Sequence, residues 1–317
     1  MKEGRRAGRI LRRLALAIGG LFLFAILAVV VAAHWFLAED RSPVDAKQRT
    51  VTSKDGTTIA YEQWGSGPPI ILVGAALADR TGAAKLAREL SDRFTVINYD
   101  RRGRGKSSDT PPYAVEREVE DIDALLEVHG PAYLFGSSSG SVLALEAANR
   151  LGPKVSGLFM YEPPFIVDNT HPPMPADFPL EVGRLVTAGK RNEAVTLFFT
   201  KGMGIPPVAV TLMRWLMPGW SKMAGMAHTI PYDLAVLDGT QTGKPLPSGR
   251  WPSVQAPVLV MAGSKSETYF HNGAKALCNS LPRAQYRTLE GRDHSAILMA
   301  PKDLASAAKG FFLVGSS

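Results

Sequence analysis

Residues 135–145 read FGSSSGSVLAL, three serines closed in by two glycines. Gly/Ser runs are usually flexible linkers, but a linker is not flanked directly by a core strand and an apolar helix. Here AYLF at 132–135 is a short apolar run, and SVLALEAANRLGP at 141–153 is a helical stretch with a Gly-Pro stop. A strand that turns into a helix through Gly136-Ser137-Ser138-Ser139-Gly140 is the G-x-S-x-G arrangement known as a nucleophile elbow. Such a turn serves covalent chemistry. Its middle residue, Ser138, must occupy a strained bend that lifts the hydroxyl above the sheet, and the flanking glycines keep side chains out of the strand–helix contact. The unpaired N–H groups at the start of the helix favour negative charge, so the Ser139 N–H is a natural oxyanion donor.

Positioning that serine takes a sheet, and the rest of the chain supplies one. TVTSKDGTTIAYEQWG predicts a hairpin turning at Asp55-Gly56. PIILVG at 69–74 and FTVINYD at 94–100 read as buried strands, with AAKLAREL a helix between them. VEREVEDIDALLEVHG at 115–130 has apolar residues at helical spacing and ends on glycine. VSGLFMYE, APVLVMAG and QYRTLEG are further strands. Short apolar strands alternating with helices predict an α/β protein, a mostly parallel sheet covered by helices. From about 163 to 254 the texture changes: prolines cluster at both ends and helical pieces lie between, which predicts a cap inserted between two strands.

Three segments in this order resemble the α/β-hydrolase family over roughly residues 48–315. The elbow is one. YDRRGRGKSS at 99–108 is similar to the family's D-x-R-G-x-G-x-S segment after the fourth strand, and LEGRDHSAI at 289–297 to its late histidine loop. The resemblance implies the α/β-hydrolase fold, with helices on both faces of the sheet and a helical cap. It makes His294 the general base that takes the Ser138 proton and returns it to the leaving group. The acid is less direct. Members usually carry an aspartate after the seventh strand in a G-x-x-D pattern, where this chain has Gly263-Ser264-Lys265-Ser266 and then Glu267. Others place a carboxylate after the sixth strand. GLFMYEPPF puts Glu162 there, stiffened by two prolines, and a carboxylate at the end of an apolar strand needs a partner. Glu162 is the preferred acid and Glu267 the alternative. In the loop VGAALADR, Gly74 matches the family's glycine and the Ala75 N–H falls where the second oxyanion donor is expected, with Ala76 the other choice. Asp100, Arg101 and Arg102 are expected to shape the turn after strand four.

The chemistry implied is acyl transfer from an ester-type small molecule (carboxylic ester, thioester or lactone), with no metal and no organic cofactor. A C–C bond hydrolase or a cofactor-free peroxidase would use the same residues. Among the other histidines, His228 in GMAHTIPYD is a candidate substrate contact. The cap carries Met203, Met213, Trp215, Met217, Trp220, Met223 and Met226. These are lid packing or, if they face the site, Trp215 among them, a surface for an apolar acyl group. The alternative of a different class is a catalytically inactive binding protein on the same scaffold, for which the missing aspartate at 266 speaks.

Net charge is +7, but residues 1–13 hold six Lys/Arg and one Glu, so most of the excess sits in a basic leader. Little remains for a nucleic-acid surface on the main domain. Residues 14–38 contain no charged side chain. That run exceeds the ~20 residues needed to cross the hydrocarbon layer and the usual 7–15-residue signal core, which favours an uncleaved transmembrane anchor over a signal cleaved after VAA at 31–33. Positive charge before the span predicts a cytoplasmic N-terminus and an extracytoplasmic domain; secretion after cleavage is the alternative. Residues 39–48 read as linker, and 49–317 as the domain. Cys278 is the only cysteine, so no intrachain disulfide and no cysteine-based zinc site can form.

Overall fold

The computed structural model describes residues 46–314. The predicted leader and span, and most of the linker, lie outside the described residues. Among the described residues no helix is long and apolar enough to cross a membrane. The first strand, β1 (Lys47–Thr52), begins inside the predicted linker.

β1 and β2 (Thr58–Trp64) form the hairpin, joined by a turn that includes Asp55 and Gly56. The strands that follow are β3 (Pro69–Val73), β4 (Thr95–Tyr99), β5 (Ala132–Ser137), β6 (Val155–Tyr161), β7 (Val258–Gly263) and β8 (Ala284–Leu289). They form one eight-stranded sheet in the order β1-β2-β4-β3-β5-β6-β7-β8. The pairings β1–β2 and β2–β4 are antiparallel and every other pairing is parallel.

Parallel strands buried on both faces read as unbroken apolar runs, and β3 shows why. Ile71 and Val73 join the core on one face, beneath α2 (Val115–His129), α3 (Ser139–Leu151) and α9 (Thr268–Ser280). Ile70 and Leu72 join the core on the other, beneath α1 (Ala84–Leu90) and α11 (Pro301–Val314). A short helix, α10 (Ala296–Met299), precedes α11.

The cap consists of α4 (Phe178–Thr187), α5 (Arg191–Leu197), a π-turn at Phe198–Gly202, α6 (Pro207–Leu216), α7 (Trp220–Gly225) and α8 (Ile230–Val236). It has its own core, built on Phe178, Val195, Val210, Trp220 and Ile230, and Leu77 of the main domain inserts into it. That core is narrower than the proline clusters suggest. Phe165, Trp251 and Val254 pack into the main core, and the Trp251 Nε1–H donates to Glu146 on α3 (3.0 Å). The prolines mark where the chain leaves the strands, but aromatic side chains beside them still reach the sheet.

Candidate active site

Ser138 sits between the last residue of β5 and the first of α3, with φ +50° and ψ −130°. A non-glycine residue there costs on the order of 1–3 kcal/mol and persists only when its surroundings over-determine it. They do. The Ser138 N–H donates to the Tyr161 carbonyl (2.9 Å), and the Ser138 carbonyl accepts from both the N–H (3.0 Å) and the hydroxyl (2.6 Å) of Ser141. The glycines are required by contact. A Cβ on Gly136 would lie 2.6 Å from the Gly140 carbonyl oxygen, and one on Gly140 would lie 2.5 Å from that of Gly74.

Two more non-glycine residues hold positive φ, Leu77 at +55° and Glu162 at +50°. Leu77 and Ser138 line one cavity, and Glu162 stands behind it, next to the lining residue His294. Glu162 follows β6 and is fully buried. One carboxylate oxygen accepts the Gly263 N–H (2.7 Å) and the Ser266 hydroxyl; the other lies 2.6 Å from His294 Nδ1. Ser266 occupies the position where the aspartate was expected, and its hydroxyl donates to Glu162. Glu267, the alternative acid, is exposed and heads α9.

His294 lies on the loop after β8. That loop is fixed by the Lys265 N–H donating to the Arg292 carbonyl (2.8 Å) and the Tyr161 hydroxyl donating to the Asp293 carbonyl (2.6 Å). The Phe270 ring stacks on the imidazole at 4.8 Å. A carboxylate accepts only, so Nδ1 carries the hydrogen and Nε2 is left as a base. Ser138 and His294 line the same cavity, of about 470 Å³. Its wall is mainly apolar, with Phe198, Phe199, Met203, Met223 and Met226 from the cap facing Ile297 and Leu298.

The loop after β3 completes the rim. The Ala76 N–H donates to the Ser139 hydroxyl (3.0 Å), which removes it from the choice between Ala75 and Ala76. The Gly74 carbonyl accepts from Arg101 (3.1 Å), and in a trans peptide this directs the Ala75 N–H the opposite way. Asp100 accepts the N–H groups of Arg80 and Lys106 (both 2.8 Å), the turn-shaping part expected of it. Arg102 is clamped by Asp121 (2.7 and 2.8 Å) and Asp55 (2.8 Å).

Two expected substrate contacts are not at the cavity. His228 packs against the 100–109 loop, its Nε2 4.0 Å from Asp109. Trp215 is 80% exposed on the outer side of α6. α6 carries apolar side chains on both sides, Val210 turned inward and Val208, Leu212 and Trp215 outward, so composition could not separate Trp215 from the methionines that do line the wall. Sequence reasoning also passed over Phe270, the π-turn phenylalanines and Asp233. The last is a carboxylate in the apolar run TIPYDLAVL, itself a sign of a buried partner. Burial pushes the Cys278 thiol up to about 11, as for an inert core cysteine. Among the described residues no three His, Cys, Asp or Glu side chains cluster as metal ligands would.

A sequence model described as the alpha/beta hydrolase family matches residues 65–307. The chain belongs to the α/β-hydrolase family. It is 46% identical to an alpha/beta hydrolase from Sphaerobacter thermophilus DSM 20745, over 83% of this chain and all of that one, with a TM-score of 0.76. A stretch of 113 residues is 37% identical to the uncharacterized hydrolase YraK of Bacillus subtilis (strain 168), covering 34% of this chain and 42% of that protein. The match thus spans less than half the length of this curated relative. A membrane phospholipase A described as a bacterial virulence factor aligns over 99% of both chains at 20% identity and a TM-score of 0.63, a likeness of fold.

Proposed function

We propose that this α/β hydrolase is a serine hydrolase for apolar ester-type substrates, working through Ser138, His294 and Glu162 and an acyl-enzyme. The observation that carries the reading is the 2.6 Å contact between His294 Nδ1 and the buried Glu162 carboxylate, at a cavity shared with the strained Ser138. Ser138 Oγ attacks the substrate carbonyl carbon while its proton passes to His294 Nε2. Glu162 stabilises the imidazolium, and the Ser139 and Ala75 N–H groups receive the negative oxygen. Collapse of the tetrahedral intermediate expels the alcohol or thiol, which takes the proton from His294, and water then releases the acid by the same route. No step calls for a metal or an organic cofactor. The methionine- and phenylalanine-rich wall suits an apolar acyl chain, since flexible thioethers adapt to its shape.

A fluorophosphonate probe tests the nucleophile. Wild type should label and Ser138→Ala should not; an unlabelled wild type overturns the reading and leaves an inactive scaffold. Chromogenic esters of rising chain length test the wall, and a flat rate profile would refute the apolar preference. The proposal includes anchoring through residues 14–38 with the domain extracytoplasmic. Full-length protein should stay with membranes through an alkaline carbonate wash, whereas release as a shortened soluble chain would favour signal cleavage.

A further inference from the structure

We infer that Asp233, a carboxylate of the cap that lies outside the cavity lining, is a positioning residue that sets the geometry of the oxyanion hole. The inference rests on the hydrolase reading above. Asp233 lies on α8 and is 1% exposed. One of its oxygens accepts from Arg101 (2.6 Å) and from the Ser139 hydroxyl (2.8 Å), and the other from Arg104 (2.5 Å). Each partner continues to the site. Arg101 donates to the Gly74 carbonyl (3.1 Å), and Arg104 to the carbonyls of Ala75 (2.6 Å) and Ala78 (3.3 Å). The Ser139 hydroxyl accepts the Ala76 N–H (3.0 Å). One carboxylate therefore governs, through a single intermediary each, four residues of the 74–78 loop and the residue that follows the nucleophile.

The chemistry gives the arrangement a direction. A backbone N–H only donates and a carboxylate only accepts. The Ser139 hydroxyl between Ala76 and Asp233 is thus held in one rotational state, and the loop is tied to the head of α3 at a fixed spacing. The carbonyls of Gly74 and Ala75 are drawn toward the guanidinium groups, which turns the Ala75 N–H away from them. A simple latch between cap and sheet would be complete with the Arg101–Glu118 pair (2.6 and 2.7 Å) and Asp233. It would not need Arg104, which reaches the loop while leaving its own Nε buried without a partner among the described residues. The cost of burying that second guanidinium is intelligible if the loop carbonyls are what it is there to hold. The cluster is charge-balanced, with Arg101 and Arg104 against Glu118 and Asp233, all about 1% exposed.

The test uses full-length protein and two variants. Ser139→Ala cuts the hydroxyl link and leaves the ion cluster whole. Asp233→Asn combined with Arg104→Gln removes one charge of each sign, so folding is not confounded by an unpaired buried cation. Removing an oxyanion donor outright costs on the order of 10²–10³ in kcat, and a donor that is displaced but present should cost roughly 10–100-fold. Both variants should lose kcat by about that factor, with KM within about threefold. Affinity for a trifluoromethyl ketone of matching chain, which adds to Ser138 and carries the oxyanion, should fall in parallel. Binding of the corresponding alkane-chain alcohol, which has no carbonyl, should hold. A merely structural Asp233 would lower Tm and leave kcat and ketone affinity of the folded protein unchanged in both variants, and that result overturns the inference. If wild type neither turns over esters nor binds the ketone, the hydrolase reading itself fails, a distinguishable outcome.

Discussion

Replacing Glu162 by Gln is the most demanding test of the triad, because the surrounding hydrogen bonds dictate how the amide must sit. Two donors, the Gly263 N–H and the Ser266 hydroxyl, converge on one carboxylate oxygen. A glutamine must give them its carbonyl oxygen, which turns its NH₂ toward His294 Nδ1. That nitrogen must then accept, so the ring proton moves to Nε2 and the base presents a hydrogen to Ser138 where it needs a lone pair. The charge is lost as well. With about 4 Å between charge centres and an effective dielectric constant near 20, the imidazolium–carboxylate attraction is ~4 kcal/mol. His294 is 34% exposed, so water screens the pair and about 2–4 kcal/mol is the better figure. Each 1.36 kcal/mol is about tenfold in rate, and the wrong tautomer adds to the loss; an equivalent change in another triad costs ~10⁴. Glu162→Gln should therefore lower kcat roughly 10³–10⁴-fold, with KM nearly unchanged and little loss of stability, since a buried charge is exchanged for a neutral isostere. Steady-state hydrolysis of a chromogenic ester and the rate of fluorophosphonate labelling both read it. Glu267→Gln should stay within about twofold of wild type. Retention of more than a tenth of wild-type kcat in the first, or a matching loss in the second, would refute the assignment of the acid.

Other perturbations follow from the same geometry. Gly140→Ala places a methyl against the carbonyls of Val73 and Gly74; overpacking of this kind costs typically ~1–3 kcal/mol, and kcat should fall at least tenfold as the loop is pushed away, whereas normal activity would show that the loop yields freely. Ser266→Asp, which restores the family's usual residue, should impair activity, because a second carboxylate beside Glu162 forces the two to share a proton; a gain in kcat at neutral pH would contradict this. Trp215→Ala and His228→Ala should leave kcat/KM on medium-chain esters within about twofold, and a tenfold fall in either would return that residue to the site. Burial alone would raise the Asp233 carboxyl, but Arg101 and Arg104 outweigh it and hold the group below its ordinary 3.8. Because the folded value is the lower one, its stabilisation is complete above that pH and drains away as the pH falls through the folded value. The Tm of wild type should then drop more steeply in acid than that of the Asp233→Asn/Arg104→Gln pair, and parallel curves would argue against the linkage.

The parts of this site legible in the sequence are those whose chemistry is local. The elbow is spelled out in five residues, because the bend at Ser138 needs glycine on both sides. Glu162 could be preferred over Glu267 because a carboxylate closing an apolar strand must be buried, whereas one at a helix start need not be. What could not be read lies across the fold. Asp233 meets Arg101 over 132 residues of chain, and no period or motif links a cap helix to the turn after β4. The three arginines of YDRRGRG were nevertheless a clue: guanidinium groups packed so densely at the end of a buried strand need counter-charges, and Asp100 alone cannot supply them. Glu118, Asp55, Asp121 and Asp233 supply them, while Asp100 pairs with Arg80.

The position of the acid has a structural logic that the motif alone hides. β6 and β7 are neighbours in the sheet, so the residues just past their ends approach the same point of the His294 loop. A carboxylate from either strand can reach Nδ1, and what differs is the support it finds. From the end of β6, Glu162 takes its backbone hydrogen bond from Gly263, and the vacated position on the β7 loop returns a hydroxyl through Ser266. The glutamate side chain and its positive φ place the carboxylate against that loop and against His294 Nδ1. The departure from the usual pattern at 266 thus leaves a hydroxyl donor directed at Glu162, which the proposed β6 acid uses. On the proposed function the Ser266 hydroxyl and the strained Glu162 serve one working triad, and the fluorophosphonate label decides between that and an inactive scaffold.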